Sequence, residues 1–172
     1  MKPRIELIII FLSFFALSSF AQKYDVAKSD EAIAEFKKAD PDIARFFSSA
    51  VGYAVIPSVG KGAVGVGGAA GNGTLYKEGS AVADVKMTQI TVGFQFGGQA
   101  YSEIIFFEDS AAYSRFVDKN YEFAAQVSAV ALTAGASADA AYKDGVQIFT
   151  MAKGGLMYEA SVGGQKFKVT LY

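Results

Sequence analysis

The sequence predicts an α+β molecule. Its body is a mainly antiparallel β sandwich or closed barrel, with short N-terminal helices and one inserted helix. Three observations carry this. Apolar residues alternate with polar or small ones in two segments, Ile90, Val92, Phe94 and Phe96 in one and Phe167, Val169 and Leu171 in the other, so each reads as a strand with one buried face. Turn signals recur at Asn72-Gly73, Glu78-Gly79, Gly97-Gly98, Asp144-Gly145, Gly154-Gly155 and Gly163-Gly164, the spacing of strands joined by hairpins. Helical stripes are confined to residues 29–50 and to the stretch after Glu108.

Taken in order, residues 1–21 read as a secretory signal peptide. Lys2 and Arg4 precede an apolar core, Leu7 to Leu17, and Ser19 and Ala21 put small residues at the two cleavage-site positions. The mature chain is expected to start at Gln22, with residues 22–50 as a helical segment and 51–172 as one β-rich domain, in the periplasm or secreted. The leader takes Lys2, Arg4 and Glu6 with it, so the net charge of −1 becomes −2. That balance argues against a nucleic-acid partner, which calls for a basic surface. No cysteine is present, so neither a disulfide nor an acylated cysteine is available.

In 22–50, Ser29-Asp30-Glu31 supplies a cap and first-turn acids, and Ile33 and Phe36 share a face. Asp40-Pro41 restarts a helix, with Asp as N-cap. Ile43, Phe46, Phe47 and Ala50 follow at i, i+3, i+4 and i+7. The segment carries a net charge of −1, which favours a helix packed on the domain over one lying on an anionic membrane. Further on, Glu108-Asp109-Ser110 caps the inserted helix, with Ala112, Phe116 and Val117 on its apolar side.

Between these helices, Gly52–Gly73 is rich in glycine. Gly60-Lys61-Gly62-Ala63-Val64-Gly65 fits G-x-G-x-x-G, yet no helix can start where three more glycines follow without a cap. Small-residue strands in close approach, turning at Asn72-Gly73, fit the stretch better. Tyr101–Phe107 and Val146–Lys153 are apolar on both faces, as central strands are. The alanine-rich stretch from 123 reads as strand to about Thr133.

Four segments in order, GYAVIPSVGKGAVGVGGA from Gly52, GFQFGGQAYSEIIFF (93–107), FAAQVSAVALTAGASA (123–138) and FTMAKGGLMYEASVGGQKF (149–167), resemble the SYLF domain family. The resemblance spans Gly52 to Phe167. It implies binding of anionic phospholipid or a membrane surface and, as in fungal members, an actin-like partner.

Catalysis finds little support in these residues. Without histidine or cysteine the chain lacks the usual general base, the thiol nucleophile and the common zinc ligands. The expectation is therefore a non-catalytic protein with no cofactor and no metal. Glu103 and Glu159 lie in apolar strands and are the candidates for a carboxylate pair, or for pairing with lysine. For a lipid headgroup, Lys61 and Lys153 stand beside glycine-lined backbone, and Arg115 and Lys119 lie four apart on the inserted helix. Lys61 and Lys153 equally suit a structural pair with Glu103 or Glu159. A small outer-membrane β-barrel of structural role is the alternative from another class. Against it, Thr170 and Lys168 fall on the phase counted back from Tyr172 that should be apolar.

Overall fold

The computed structural model of the chain describes residues 26–64, 66–92, 99–118, 121–124, 127–154 and 160–172. The expected signal peptide, the Gly97-Gly98 turn, Lys119 and Glu159 lie outside them. Among the described residues, three α-helices, α1 (Val26–Ala39), α2 (Ala44–Ser49) and α3 (Ser110–Val117), accompany nine strands. The strands are β1 (Gly52–Val64), β2 (Val66–Lys77), β3 (Ser80–Val92), β4 (Gln99–Phe107), β5 (Tyr121–Glu122), β6 (Ser128–Ala131), β7 (Val146–Lys153), β8 (Ala160–Ser161) and β9 (Gln165–Leu171). They form one mixed sheet in the order β5-β9-β3-β2-β1-β4-β7-β6-β8, curled into a half-barrel. The α+β class with a β-dominated core is as expected. The form is one curled sheet, not two facing ones.

Among the described residues every pairing is antiparallel except β6 with β7, which run parallel through Val130↔Phe149 and Ala131↔Thr150. The two ends of the strand order are drawn together by the chain itself. β8 passes through Val162–Gly164 into β9, and Phe123 N–H donates to Gln165 O while Gly164 N–H donates to Phe123 O, each at 3.0 Å. The loop from β5 into β6 thus lies against the loop from β8 into β9.

β2 and β3 turn at Glu78-Gly79 and β7 is entered at Asp144-Gly145, both with positive φ at both residues, as type I′ hairpins require. Asn72-Gly73, in contrast, is no turn. Asn72 and Gly73 sit mid-strand in β2, opposite Lys86 and Val85 of β3. Their glycine serves close approach: β1 carries a bulge between Val55 and Ser58, opposite Gly73, and a Cβ on Gly73 would collide with the Val55 carbonyl oxygen. The β1–β2 hairpin turns earlier along the chain, where Val64 pairs with Val66. The alanine-rich stretch is strand only over Ser128–Ala131 and then breaks into turns, because no apolar alternation continues past Leu132.

Alternation along each strand sorts the apolar residues onto two faces. The inner face packs Ala54, Ile56, Val85, Met87, Tyr101, Ile105, Phe107, Ile148 and Phe167 together, and α3 closes over them with Ala112 and Phe116. Asp109 caps α3, accepting from Ala112 N–H at 2.7 Å, as its sequence predicts. The outer face of β1, β4 and β7 carries Val55, Ile104, Phe106 and Phe149, covered by Ala32, Phe36, Ile43 and Phe46 of the N-terminal helices. Phe46 meets Phe149 at 5.0 Å between centroids and Phe106 at 5.5 Å. The helical segment is thus packed on the domain. Residues 101–107 are all buried, as a strand covered on both sides must be.

Two expectations change. Ser29 caps nothing: α1 begins at Val26, and Ser29 is buried in it, donating to the Thr74 hydroxyl at 3.0 Å. The apolar phase of β3 is also reversed at its end. Ala83, Val85 and Met87 set the inward phase, so Gln89 follows them inside at 3 % exposure while Ile90 stands outside at 77 %. Leu171, past the last buried position of β9, is likewise exposed.

Candidate functional site

The β6–β7 pairing lasts only two residue pairs. Upstream the two chains part, and a cavity of about 900 Å³ opens between α3, the β5–β6 segment and residues 140–148. Its apolar lining comes from Tyr121, Phe123, Val127, Val130, Val146 and Ile148. Arg115 and Lys143, both exposed, supply the cations at its edge, beside the acids Asp109, Glu122 and Asp144. Arg115 is positioned by its place in the last turn of α3 and by donating to Asp144 O at 2.9 Å. The left-handed Asp144-Gly145 turn presents that carbonyl. The Tyr121 phenol is held above its usual range, mainly by burial; Arg115 opposes this and Asp144 adds to it. It stays neutral at physiological pH. An apolar chamber with a guanidinium and an ammonium at its edge can hold a single-chain amphiphile.

A second, smaller groove of about 490 Å³ lies between the end of α1 and the end of β7, and Glu35, Lys38 and Lys153 share it with Met151. Lys153 is therefore on the outer face. It follows Phe149 and Met151 in phase, whereas Glu103 follows Tyr101 and Ile105 on the inner face. The expected Lys153–Glu103 pair is excluded by the alternation of β4 and β7. Glu103 instead accepts from Gln165 Nε2 at 2.9 Å, and the same nitrogen donates to the Tyr101 hydroxyl at 3.2 Å. Burial, with the Glu103 carboxylate beside it, pushes the Tyr101 phenol well up. Neither glutamine 165 nor glutamine 89 was singled out from the sequence, although each interrupts an apolar alternation.

Arg115 and Lys153 do not converge. They sit by opposite ends of β7, whose seven steps from Val146 span about 23 Å. Lys61 pairs through its backbone with Gln99 and Ala69, on the strands nearest the glycine-lined end. Its side chain, like Lys119 and Glu159, is outside the described residues. Lys143, missed from the sequence, stands one residue before the Asp144-Gly145 turn, a signal that was available.

Residues 88–170 match the family model described as Ysc84, Las17-binding protein actin regulator. The match to the Ysc84, or SYLF, model covers just under half of the chain. The matched segment runs from the end of β3 to β9 and includes α3, the cavity walls and the buried Glu103–Gln165 contact. The chain is also similar to Beta cell expansion factor A of Aeromonas veronii, 28 % identical over 148 residues, which are 81 % of this chain and 53 % of that protein. It thus spans about half the length of that relative.

Proposed function

We propose that this chain is an exported, non-catalytic protein that binds phospholipid at a membrane surface. The observation that carries the reading is the cavity beside α3. Its walls are apolar, its size of about 900 Å³ suits one acyl chain, and Arg115 and Lys143 stand where an anionic headgroup would emerge. The SYLF match over the same residues supports it. Export rests on the leader-like residues 1–21. The Las17-binding and actin-regulating description belongs to the family, and an actin-like partner comes to this chain by that resemblance alone. The outer-membrane barrel finds no support in the packing. A lipid-spanning barrel turns its apolar side outward, whereas here the inside is the apolar core and α1 and α2 cover part of the outside.

Native mass spectrometry with lysophosphatidylglycerol tests the cavity. One bound lipid per chain is expected, and Val130→Trp, which fills the space, should abolish it while Arg115→Gln weakens it. Equal binding by Val130→Trp and the parent chain would contradict the assignment.

A further inference from the structure

The N-terminal helices cover only part of the outer face: among the described residues, no helix lies over its continuation past Thr74 on β2 and across β3 and β9. On β9, β3, β2 and β1 the outward positions line up across the register: Lys168, Lys86, Asn72 and Ser58 in one row, and Lys166, Thr88, Ala70 and Gly60 in the next. All eight are exposed. Beyond them Ile90, 77 % exposed, stands opposite Gly68. Lys86 and Lys168 are direct cross-strand neighbours, with Cβ atoms about 5 Å apart, and like charges so placed destabilise a sheet. Acids do little to offset them. Glu122 reaches Lys166 at 3.4 Å from the sheet edge, in an exposed pair of small worth. Asp84, the remaining outward acid of β3, accepts from the Tyr172 hydroxyl at 2.9 Å. The face is therefore low in relief at its centre, because Ser58, Gly60 and Ala70 carry small side chains or none. It is cationic on a chain whose net charge is −1, and it bears the exposed, large apolar side chain of Ile90.

We propose that this lysine face of β9 and β3 is the surface that docks on an anionic bilayer, with Ile90 entering the headgroup region. The inference rests on the phospholipid reading above and names the surface that meets the membrane. Charge complementarity selects the occupant. A second copy of the chain would set lysines against lysines. Among the described aromatic side chains nucleic acid would find at this face Tyr172, its hydroxyl tied to Asp84, and no row of rings on which to stack successive bases. A bilayer of acidic lipids offers an extended surface of negative charge and an apolar layer beneath it, which match a basic face of low relief carrying an isoleucine. The three lysines lie on exposed strand positions, so replacing them leaves the core intact.

Vesicle co-sedimentation of the mature chain tests this with phosphatidylglycerol–phosphatidylcholine vesicles. The variant Lys86→Gln/Lys166→Gln/Lys168→Gln should bind roughly 10- to 100-fold more weakly, with a smaller loss on raising salt, since each basic residue near such a surface contributes about a factor of five. Ile90→Ser should weaken binding severalfold at fixed charge. The control Lys28→Gln/Lys38→Gln/Lys153→Gln removes the same charge from the helical side and should bind like the parent. Unaltered melting of all three variants shows that folding is not the cause. Equal losses in the two triple variants would overturn the proposal in favour of net charge alone. An unaffected lysine-face variant would overturn it while leaving lipid binding in place. Loss of heparin binding in parallel with vesicle binding, with Ile90→Ser inert, would make the face a general polyanion site and overturn it too. A parent chain that fails to sediment would remove the phospholipid reading itself.

Discussion

Asp40 shows how one side chain ties the helical segment to the rest of the fold. Its Oδ1 accepts from Asp42 N–H at 3.2 Å, capping the turn that opens at Pro41, and its Oδ2 accepts from the buried Ser137 N–H at 2.8 Å. Arg45 adds a second latch, donating to Ser137 O and Ala140 O. Burial raises the Asp40 pKa, but the hydrogen bonds, chiefly that from the Ser137 backbone, outweigh it and leave the pKa below the usual 3.8. A lowered carboxylate pKa means stability that is present above the unfolded value and lost as pH falls through the folded one. Asp40→Ala should therefore cost about 2 kcal/mol near neutrality, from the lost cap and an unpaired N–H. The difference from the parent should shrink as pH drops below 3.8, which urea unfolding at stepped pH would measure. Gly73 makes a steric counterpart. With the Val55 carbonyl oxygen where a Cβ would go, Gly73→Ala should destabilise by at least the ~1–3 kcal/mol of an overpacked core. Gly60→Ala, where nothing lies within 4 Å, should stay within about 0.5 kcal/mol. Similar midpoints for the two variants would refute the close-approach account. The sequence already pointed to glycine serving close backbone approach. It misplaced the turn at Asn72-Gly73 because that dipeptide suits a hairpin and a bulged crossing of strands equally well.

At the level of elements, the apolar stripe of Ile43 and Phe46 did announce its partner. Phe46 fills the outer cluster between Phe106, Phe149 and Tyr142, with Arg45 over its ring at 4.6 Å. Phe46→Ala should cost roughly 3–5 kcal/mol, and α1 and α2 should become the first part of the chain to exchange amide hydrogens. Hydrogen exchange that leaves these helices as protected as β4 would contradict their role as a packed cover. Central strands were readable for a similar reason: burial on both faces leaves no polar phase in Tyr101–Phe107, and nothing competes with that reading. Half-buried strands were harder. An alternation gives the period but not the face, and in β3 the phase is set by Ala83, Val85 and Met87, with Gln89 carried inside and Ile90 outside. That reversal hid the lysine face. Lys166 and Lys168 were visible as the polar phase of β9, but Lys86 joins them only through a register that sequence does not state.

Across the whole molecule, the class of fold could be read, since period, turn chemistry and the SYLF resemblance agreed. The site was less legible. Sequence proximity to glycine singled out Lys61 and Lys153, whereas the cavity arises from two strands, β6 and β7, parting after a short parallel contact. Of the two expected basic residues whose side chains are described, Arg115 lines that cavity and Lys153 does not. The central claim is that these parts serve phospholipid binding. Co-sedimentation of residues 22–172 with vesicles of phosphatidylglycerol and of phosphatidylcholine, each at two salt concentrations, tests it most directly. The account predicts sedimentation with phosphatidylglycerol that weakens as salt rises, and little with phosphatidylcholine alone. A folded chain that stays in the supernatant with both lipids at low salt would contradict it.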